Sequence, residues 1–494
     1  MSKKFSTKLI GLLAATALVA AACSSDDDTS SDDTQPADTT QATDAADDMD
    51  ESEDTDAAAV ENTDATEDTD DADDMDESED TDAAEDTDDS ALAAELLWDN
   101  GDCDTSLTPY GINITAPFET PKLSLIDQVS AMEVSVDIFN ARGGIGGHCM
   151  ALTTCDDGGD PNVSLDCARE AVDDATIMAV LNDTPAFNPQ GWVDVTLPAD
   201  LARFGLSPGQ ETMAAEVTDS YPFSGGGTGT TFVMSAACTK HGFKKIGMIN
   251  VDTPTIDRLI SVVEGMVGAY DAEFVGNITV PAGTTDFQQF IITMEDLGAE
   301  CVMMPLGENE ALQVLQAADQ LDTDMWFSTS SGSTGLDGIK ALSSVQEQIL
   351  LNGALPAATG STERWPALQL IVDDLSSTGD PQLQYGTLKE SPMRSWVAVY
   401  AFVRTIEDFG DPDDVSRDAV NAAIRAATDI DMLGLTPKWT PNTPSSEIES
   451  FGRISNPWFF VWTYDAAIEN FVVDEDQIDM ISEVLGQIDY PQPA

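Results

Sequence analysis

From about residue 108 onward, apolar and polar positions fall into alternating short blocks. Tyr110 to Thr115 (YGINIT) is a β-type run, and Pro121 to Ala141 carries Leu123, Ile126, Val129, Val134 and Ile138 at near-helical spacing. Cys149 to Thr154 and Ile177 to Leu181 are short apolar runs separated by a helical stretch carrying Cys167, Ala168 and Ala171. This βαβαβ order predicts a parallel sheet with right-handed crossovers. Phe204 to Ser207 is a weak fourth strand, followed by a Gly-rich connection from Ser224 to Gly229.

The alternation then restarts. A helix from Thr230 to Cys238 precedes strand Lys245 to Asn250, and helix Thr255 to Ala269 precedes strand Glu273 to Val280. Helix Asp286 to Leu297, strand Cys301 to Pro305, helix Glu308 to Leu321 and strand Met325 to Ser328 complete a second αβ series. Two such series with a Gly-rich break predict two Rossmann-like lobes with a cleft between them. Ile349 to Ala354 reads as one more strand, Pro392 to Phe409 and Asp418 to Ala427 as amphipathic helices, and Trp458 to Tyr464 (WFFVWTY) as a buried aromatic strand. These late elements start no third domain. They revisit the lobes, so the chain is expected to cross the hinge more than once.

Composition changes the picture mainly at the N-terminus. Lys3, Lys4 and Lys8 precede an apolar run from Leu9 to Ala22, 14 residues long. At about 1.5 Å per residue this falls short of a hydrocarbon core about 30 Å thick, so it reads as an export signal, not a spanning helix. Ala20, Ala21 and Ala22 then lead into Cys23, which resembles a bacterial lipobox and implies a lipid anchor on Cys23. From Ser24 to Glu95 there are 32 Asp or Glu and no Lys or Arg. Such a segment lacks the apolar surface to offset its ordering entropy and is expected to be a disordered tether. The block DDMDESEDTDAA occurs at Asp47–Ala58 and again at Asp73–Ala84, with no apolar face to stack.

The chain as a whole carries 91 acidic against 20 Lys or Arg, a formal charge of −71. The excess persists beyond the tether, and nucleic acid is thereby excluded as a partner. Six cysteines follow Cys23, namely Cys103, Cys149, Cys155, Cys167, Cys238 and Cys301, an even number in an exported chain, which reads as three disulfides with pairing left open. With no CxxC pair and only His148 and His241 in the chain, a zinc site has little support, and no metal or cofactor is expected. There is no G-x-S-x-G elbow, no H-E-x-x-H pair and no P-loop. His148, in a Gly-rich turn, and His241, before a strand, read as structural, and Gly225 to Gly229 as a hinge approach.

Three stretches resemble the type I periplasmic binding proteins of the branched-chain amino acid and amide uptake family. These are Ala116-Pro117 after the first strand, AMEVSVDIFNARGGIGG from Ala131 to Gly147, and Asp156, Asp157, Asp160 and Pro161 ahead of the Cys167 helix. Weaker echoes are HGFKKIGMIN at His241–Asn250 and GTTDF at Gly283–Phe287. The doubly wound lobe that the resemblance implies pairs Cys103 with Cys149, Cys155 with Cys167 and Cys238 with Cys301. It also implies a ligand held at the carboxyl ends of the strands, by Phe118, Asp183, Thr184 and Ser207 in lobe one and Thr253, Glu308, Ser330 and Ser331 in lobe two. The sequence departs from amino-acid-binding members where Ser328 to Gly332 replaces an acidic residue and Pro254-Thr255 replaces tyrosine-glycine.

The expectation is therefore an α/β chain of two Rossmann-like lobes joined by a multi-strand hinge. Residues 1–22 form the signal and 23–100 the tether, while 101–226 with 350–452 form lobe one and 227–349 with 453–494 lobe two. The function implied is an extracytoplasmic solute-binding lipoprotein. It is expected to be a monomer and no enzyme, closing as a clamshell on a small polar solute and delivering it to an ABC permease. A ligand-sensing subunit without transport is the main alternative, and an extracellular hydrolase a weaker one.

Overall fold

The computed structural model describes residues 98–487 apart from 121–122, 187, 208–218, 252–255, 282–283, 361 and 444–450. The signal, the tether as far as residue 97, Cys23 and Thr253 lie outside the described residues, whereas Trp98, placed in the tether from the sequence, packs on the first lobe.

The first αβ series builds a five-stranded parallel sheet. Its strands β1 (Tyr110–Ala116), β2 (Met150–Asp156), β3 (Ile177–Leu181), β4 (Ala202–Leu206) and β5 (Ser220–Pro222) lie in the order β2-β1-β3-β4-β5. Every residue of β1, β3 and β4 is buried, as expected for a parallel sheet covered on both faces. Helix α1 (Ile126–Ala141) follows β1, α2 (Pro161–Asp173) follows β2, and α3 (Pro189–Thr196) follows β3. Asp160 starts α2 by accepting from the Asn162 backbone N–H, with Pro161 in the first turn where its missing N–H costs nothing.

The turn after α1 depends on its glycines. Gly143, Gly144, Gly146 and Gly147 all have positive φ, and a Cβ on Gly144 would stand 2.0 Å from the His148 carbonyl oxygen. This reversal brings Asn140 against the start of β2, where its amide donates to the Met150 carbonyl and accepts from the Met150 N–H. It also brings Cys149 to Cys103, with Cα atoms 5.1 Å apart in a disulfide. Nearby, Trp98 packs against Phe139 and Tyr400 with Arg404 over its ring, so the chain enters lobe one at the amino end of β1, pinned by an aromatic cluster and a disulfide.

The second sheet has seven strands. They are β6 (Lys245–Val251), β7 (Glu273–Val280), β8 (Cys301–Met304), β9 (Trp326–Ser330), β10 (Ile349–Gly353), β11 (Trp458–Asp465) and β12 (Asn470–Asp479), in the order β12-β11-β10-β9-β8-β6-β7. β11 and β12 run antiparallel and the others parallel. Helices α4 (Gly226–Lys240), α5 (Ile256–Ala269), α6 (Gln288–Leu297), α7 (Glu308–Leu321) and the short α8 (Leu336–Lys340) accompany it. The chain then returns to the first lobe with α9 (Pro366–Ser376), α10 (Glu390–Phe409) and α11 (Arg417–Ala426), and crosses back for β11 and β12.

α10 lies along α1, burying Trp396, Val399, Val403 and Ile406, each worth about 1.5–3 kcal/mol on burial. Arg142 at the end of α1 forks onto Asp374 of α9 through two 2.8 Å bonds, and the Trp396 indole N–H donates to the same carboxylate at 2.8 Å.

Two sequence expectations change. The return to lobe one was placed at residue 350, but Ile349–Gly353 pairs in parallel with β9 and antiparallel with β11, so this strand belongs to the second sheet and the crossing follows it. The Gly225–Gly229 run was read as a hinge approach. It lies at the first crossing, but Gly226 already opens α4, and Cβ atoms on Gly225 and Gly229 would meet the Met480 sulfur at 2.7 and 2.6 Å. The glycines therefore let the first turn of α4 pack closely on the segment after β12.

The other two disulfides are Cys155–Cys167, tying β2 to α2, and Cys238–Cys301, tying α4 to β8, each with Cα atoms 5.9 Å apart. All three have the pairing the resemblance implies.

Candidate functional site

The carboxyl ends of the parallel strands in both lobes lead into the loops where ligands of open α/β sheets bind. In lobe one those loops are occupied with one another. The Phe118 N–H donates to Asp156 Oδ1 at 3.0 Å, fastening the loop after β1 to the end of β2, while the Phe118 ring is half-buried. Asp183, after β3, is fully buried, and its Oδ2 accepts from Arg203 Nε at 2.9 Å and pairs with a terminal guanidinium nitrogen at 2.8 Å. Thr184 donates its N–H to the Thr115 carbonyl and accepts from Gln128 Nε2 at 3.1 Å. Gln128 Nε2 also donates to the Asn182 carbonyl, and Ser395 of α10 joins Gln128 to Asn182. Ser207 is half-buried at the end of β4.

Asp183 therefore faces the lobe interior and neutralises Arg203. Its other oxygen, Oδ1, is buried without a hydrogen-bond partner.

The lobe-two residues meet something the sequence reading missed. Glu308, in the first turn of α7, reaches Lys389 Nζ at 2.6 Å, and the same ammonium pairs with Asp127 Oδ2 at 2.9 Å in the first turn of α1. Both carboxylates sit at helix N-termini, where unpaired N–H groups favour negative charge. Ser331, after β9, donates its hydroxyl to the Glu390 carboxylate, and Glu390 Oε1 accepts from Arg394 at 3.0 Å. Ser330 turns back on its own loop, accepting from the Gly332 N–H at 3.1 Å.

Lys389 and Glu390 thus form a junction at which the carboxyl ends of both sheets converge. Of the lobe-two expectations that lie within the described residues, Glu308 and Ser331 are brought to it and Ser330 lies beside it. The missed signal was Lys389 itself, one of only 20 basic residues in the chain, placed immediately before an amphipathic helix.

Burial works against the Lys389 charge, but Asp127 and Glu308 outweigh it, and the lysine pKa is raised above its ordinary value. Lys389 and Asp127 are about nine-tenths buried or more (10% and 4% exposed), whereas Glu308 is 45% exposed.

Beside the junction is a cavity of about 20 Å³, room for one water, lined by Leu351, Leu355, Leu388, Met393, Trp462 and Phe471 along with Ser331, Lys389 and Glu390. A larger open groove of about 580 Å³, bounded by Phe243, Glu300 and Trp326, lies at the amino ends of β6, β8 and β9, away from the junction. Both histidines are engaged in packing. His148 Nδ1 lies 2.7 Å from the Thr108 carbonyl, and the His241 ring lies 4.3 Å from that of Trp326. Among the described residues no group of three or more His, Cys, Asp or Glu could hold a metal ion, and no helix is long and apolar enough to cross a membrane.

Comparison with known proteins agrees with this architecture. A family profile described as periplasmic binding protein matches residues 115–462. The fold is similar to that of a fatty acid ABC transporter substrate-binding protein from Thermomonospora curvata, at 13% identity and a TM-score of 0.63, covering 79% of this chain and 97% of that one. It is similar to an ABC transporter solute binding protein from R. palustris in complex with benzoate, at 13% identity and a TM-score of 0.60, covering 75% of this chain and 97% of that one. A type 1 periplasmic binding protein from Bordetella pertussis Tohama I aligns at 15% identity and a TM-score of 0.58, covering 75% of this chain and all of that one. No curated protein sequence matches. With the profile spanning the lobes and the crossings between them, the chain belongs to the periplasmic binding protein family and has the two-lobed fold of its type I members.

Proposed function

We propose that this protein is the solute-binding component of an ABC uptake system, capturing a small molecule between its lobes and handing it to a permease. The observation that supports this most directly is the convergence of both sheets' carboxyl ends on Lys389 and Glu390, with the chain crossing between lobes before α4, after β10 and again before β11. Lobes hinged in this way can part, admit a solute and close over it. The chemistry the junction offers a solute is hydrogen bonding and charge. Family membership supports an extracytoplasmic setting.

In this reading the export signal delivers the chain, the acyl-modified Cys23 holds it to the outer face of a membrane, and the acidic stretch acts as the spacer. The protein works as a monomer.

A thermal-shift screen of the purified protein against amino acids, amides, urea, carboxylates and sugars tests the receptor reading. A solute present at about 100 times its Kd adds about 2.7 kcal/mol and raises the melting temperature. Recovery of that solute unchanged identifies a receptor, and its conversion to product identifies a hydrolase. Replacing Cys23 with Ser and fractionating cells tests the anchor, which predicts that the protein moves from the membrane to the soluble fraction.

A further inference from the structure

Resting on the receptor reading, we infer that Lys389 is the specificity-determining residue of the cleft and selects a small apolar carboxylate, whose anionic group takes the place that Glu308 holds at the ammonium. The argument starts from the inequality of the two lysine partners. Asp127 belongs to the same lobe as Lys389 and is 4% exposed, so its release would strand a buried charge. Glu308 comes from the opposite lobe, is 45% exposed, and regains water as soon as the lobes part. Exchanging Glu308 for a ligand carboxylate leaves the count at the ammonium unchanged, one cation between two anions. No new unpaired charge is buried. A cationic solute finds no acceptor on Lys389, and a neutral one brings an acceptor but no negative charge to replace that of Glu308.

The surroundings fit the rest of such a ligand. The cavity beside Lys389 has Leu388 and Met393 on the lobe-one side, Leu351, Trp462 and Phe471 on the second sheet, and Leu355 on the crossing segment. Its walls belong to both lobes, so it widens from its present volume of about 20 Å³ as they separate. The one carboxylate in its lining, Glu390, is held by Arg394 and Ser331 and does not oppose a second anion as a free charge would. Trp462 is fully buried and its indole N–H has no hydrogen-bond partner, which leaves a donor in the cavity wall for a polar atom entering with the ligand.

The test is calorimetric titration of the full-length protein with benzoate and hexanoate, with benzamide and hexanamide as neutral analogues of the same shape. The wild type should bind the carboxylates and discriminate against the amides at least tenfold. Glu308→Gln removes the competing anion and should tighten carboxylate binding about two- to fivefold without changing amide binding. A double variant, Lys389→Met with Asp127→Asn, removes a charge and its partner together, so that no lone carboxylate is buried, and should weaken carboxylate binding about tenfold or more.

Equal binding of acid and amide, an equal change in both on Glu308→Gln, or unchanged carboxylate binding in the double variant would each overturn the inference. Binding of neutral solutes with no response to either carboxylate would also overturn it while leaving the receptor reading intact. Should no solute of the wider screen bind, the receptor reading falls as well.

Discussion

The carboxyl-terminal edges of the two lobes carry similar residue types and use them differently. In lobe one, Asn182, Asp183 and Thr184 are engaged inward. Asp183 neutralises Arg203, while Gln128 and Ser395 take up Asn182 and Thr184. In lobe two, Glu308 and Ser331 reach outward to Lys389 and Glu390, across the seam between lobes. Buried polar groups favour partners wherever they lie, and in lobe one the fold itself supplies many of them, although Gln128 Oε1, Asn182 Oδ1 and Asp183 Oδ1 are left without one. In lobe two the partners come from the opposite lobe. The first edge therefore holds its own lobe together, and the second joins the two lobes.

That contrast can be broken by experiment. Asp183→Ala should have the largest effect, a loss of about 3–5 kcal/mol in denaturant unfolding, because Arg203 would remain buried without its counterion. A loss below about 1 kcal/mol would mean that Asp183 faces solvent and is available to a ligand after all. Removing Cys238–Cys301, with both positions changed to Ala, should cost about 3 kcal/mol, since the bond closes a long loop around the core of lobe two. Gln128→Ala should cost about 2 kcal/mol by leaving the Asn182 carbonyl and the Thr184 hydroxyl without their donor.

Glu308→Gln should change unfolding stability by less than about 1 kcal/mol, as for other half-exposed pairs. Its signature is pH dependence. The raised Lys389 pKa means that the ion pairing stabilises the protein fully below the ordinary lysine value and loses this contribution as pH rises through the higher, folded-state value. The stability difference between wild type and Glu308→Gln should thus be constant up to about pH 10.4 and fall away only as the pH rises beyond it through the folded-state value, read from melting curves. A difference that persisted at high pH would assign Glu308 a role independent of Lys389.

The alternation of strand and helix was legible because several parallel strands are short, mainly apolar runs between polar loops, as in β3 and β8. Strands without that signature were missed. β5 is three residues long, and β12 (NFVVDEDQID) carries four acidic residues and is held at the sheet edge by its antiparallel partner β11. The sheet to which Ile349–Gly353 belongs was not legible either, since a strand's pattern states that it is buried and not beside which neighbour. The same limit governs the site. The sequence could point to the loops containing Asp183 and Glu308, but the direction in which each side chain turns depends on Arg203 and Lys389, which are distant in the chain and attached to other elements.

The entry of the chain into lobe one has a mechanical consequence. A pull transmitted from the N-terminus arrives at Trp98 and is taken up by the Phe139–Tyr400 cluster and by the covalent Cys103–Cys149 link, both within one lobe and at the amino end of β1. The load path ends there, before it reaches the crossing segments or the junction at Lys389. Tension on the N-terminal segment should accordingly swing the whole receptor as one body while leaving the work of opening and closing to the solute.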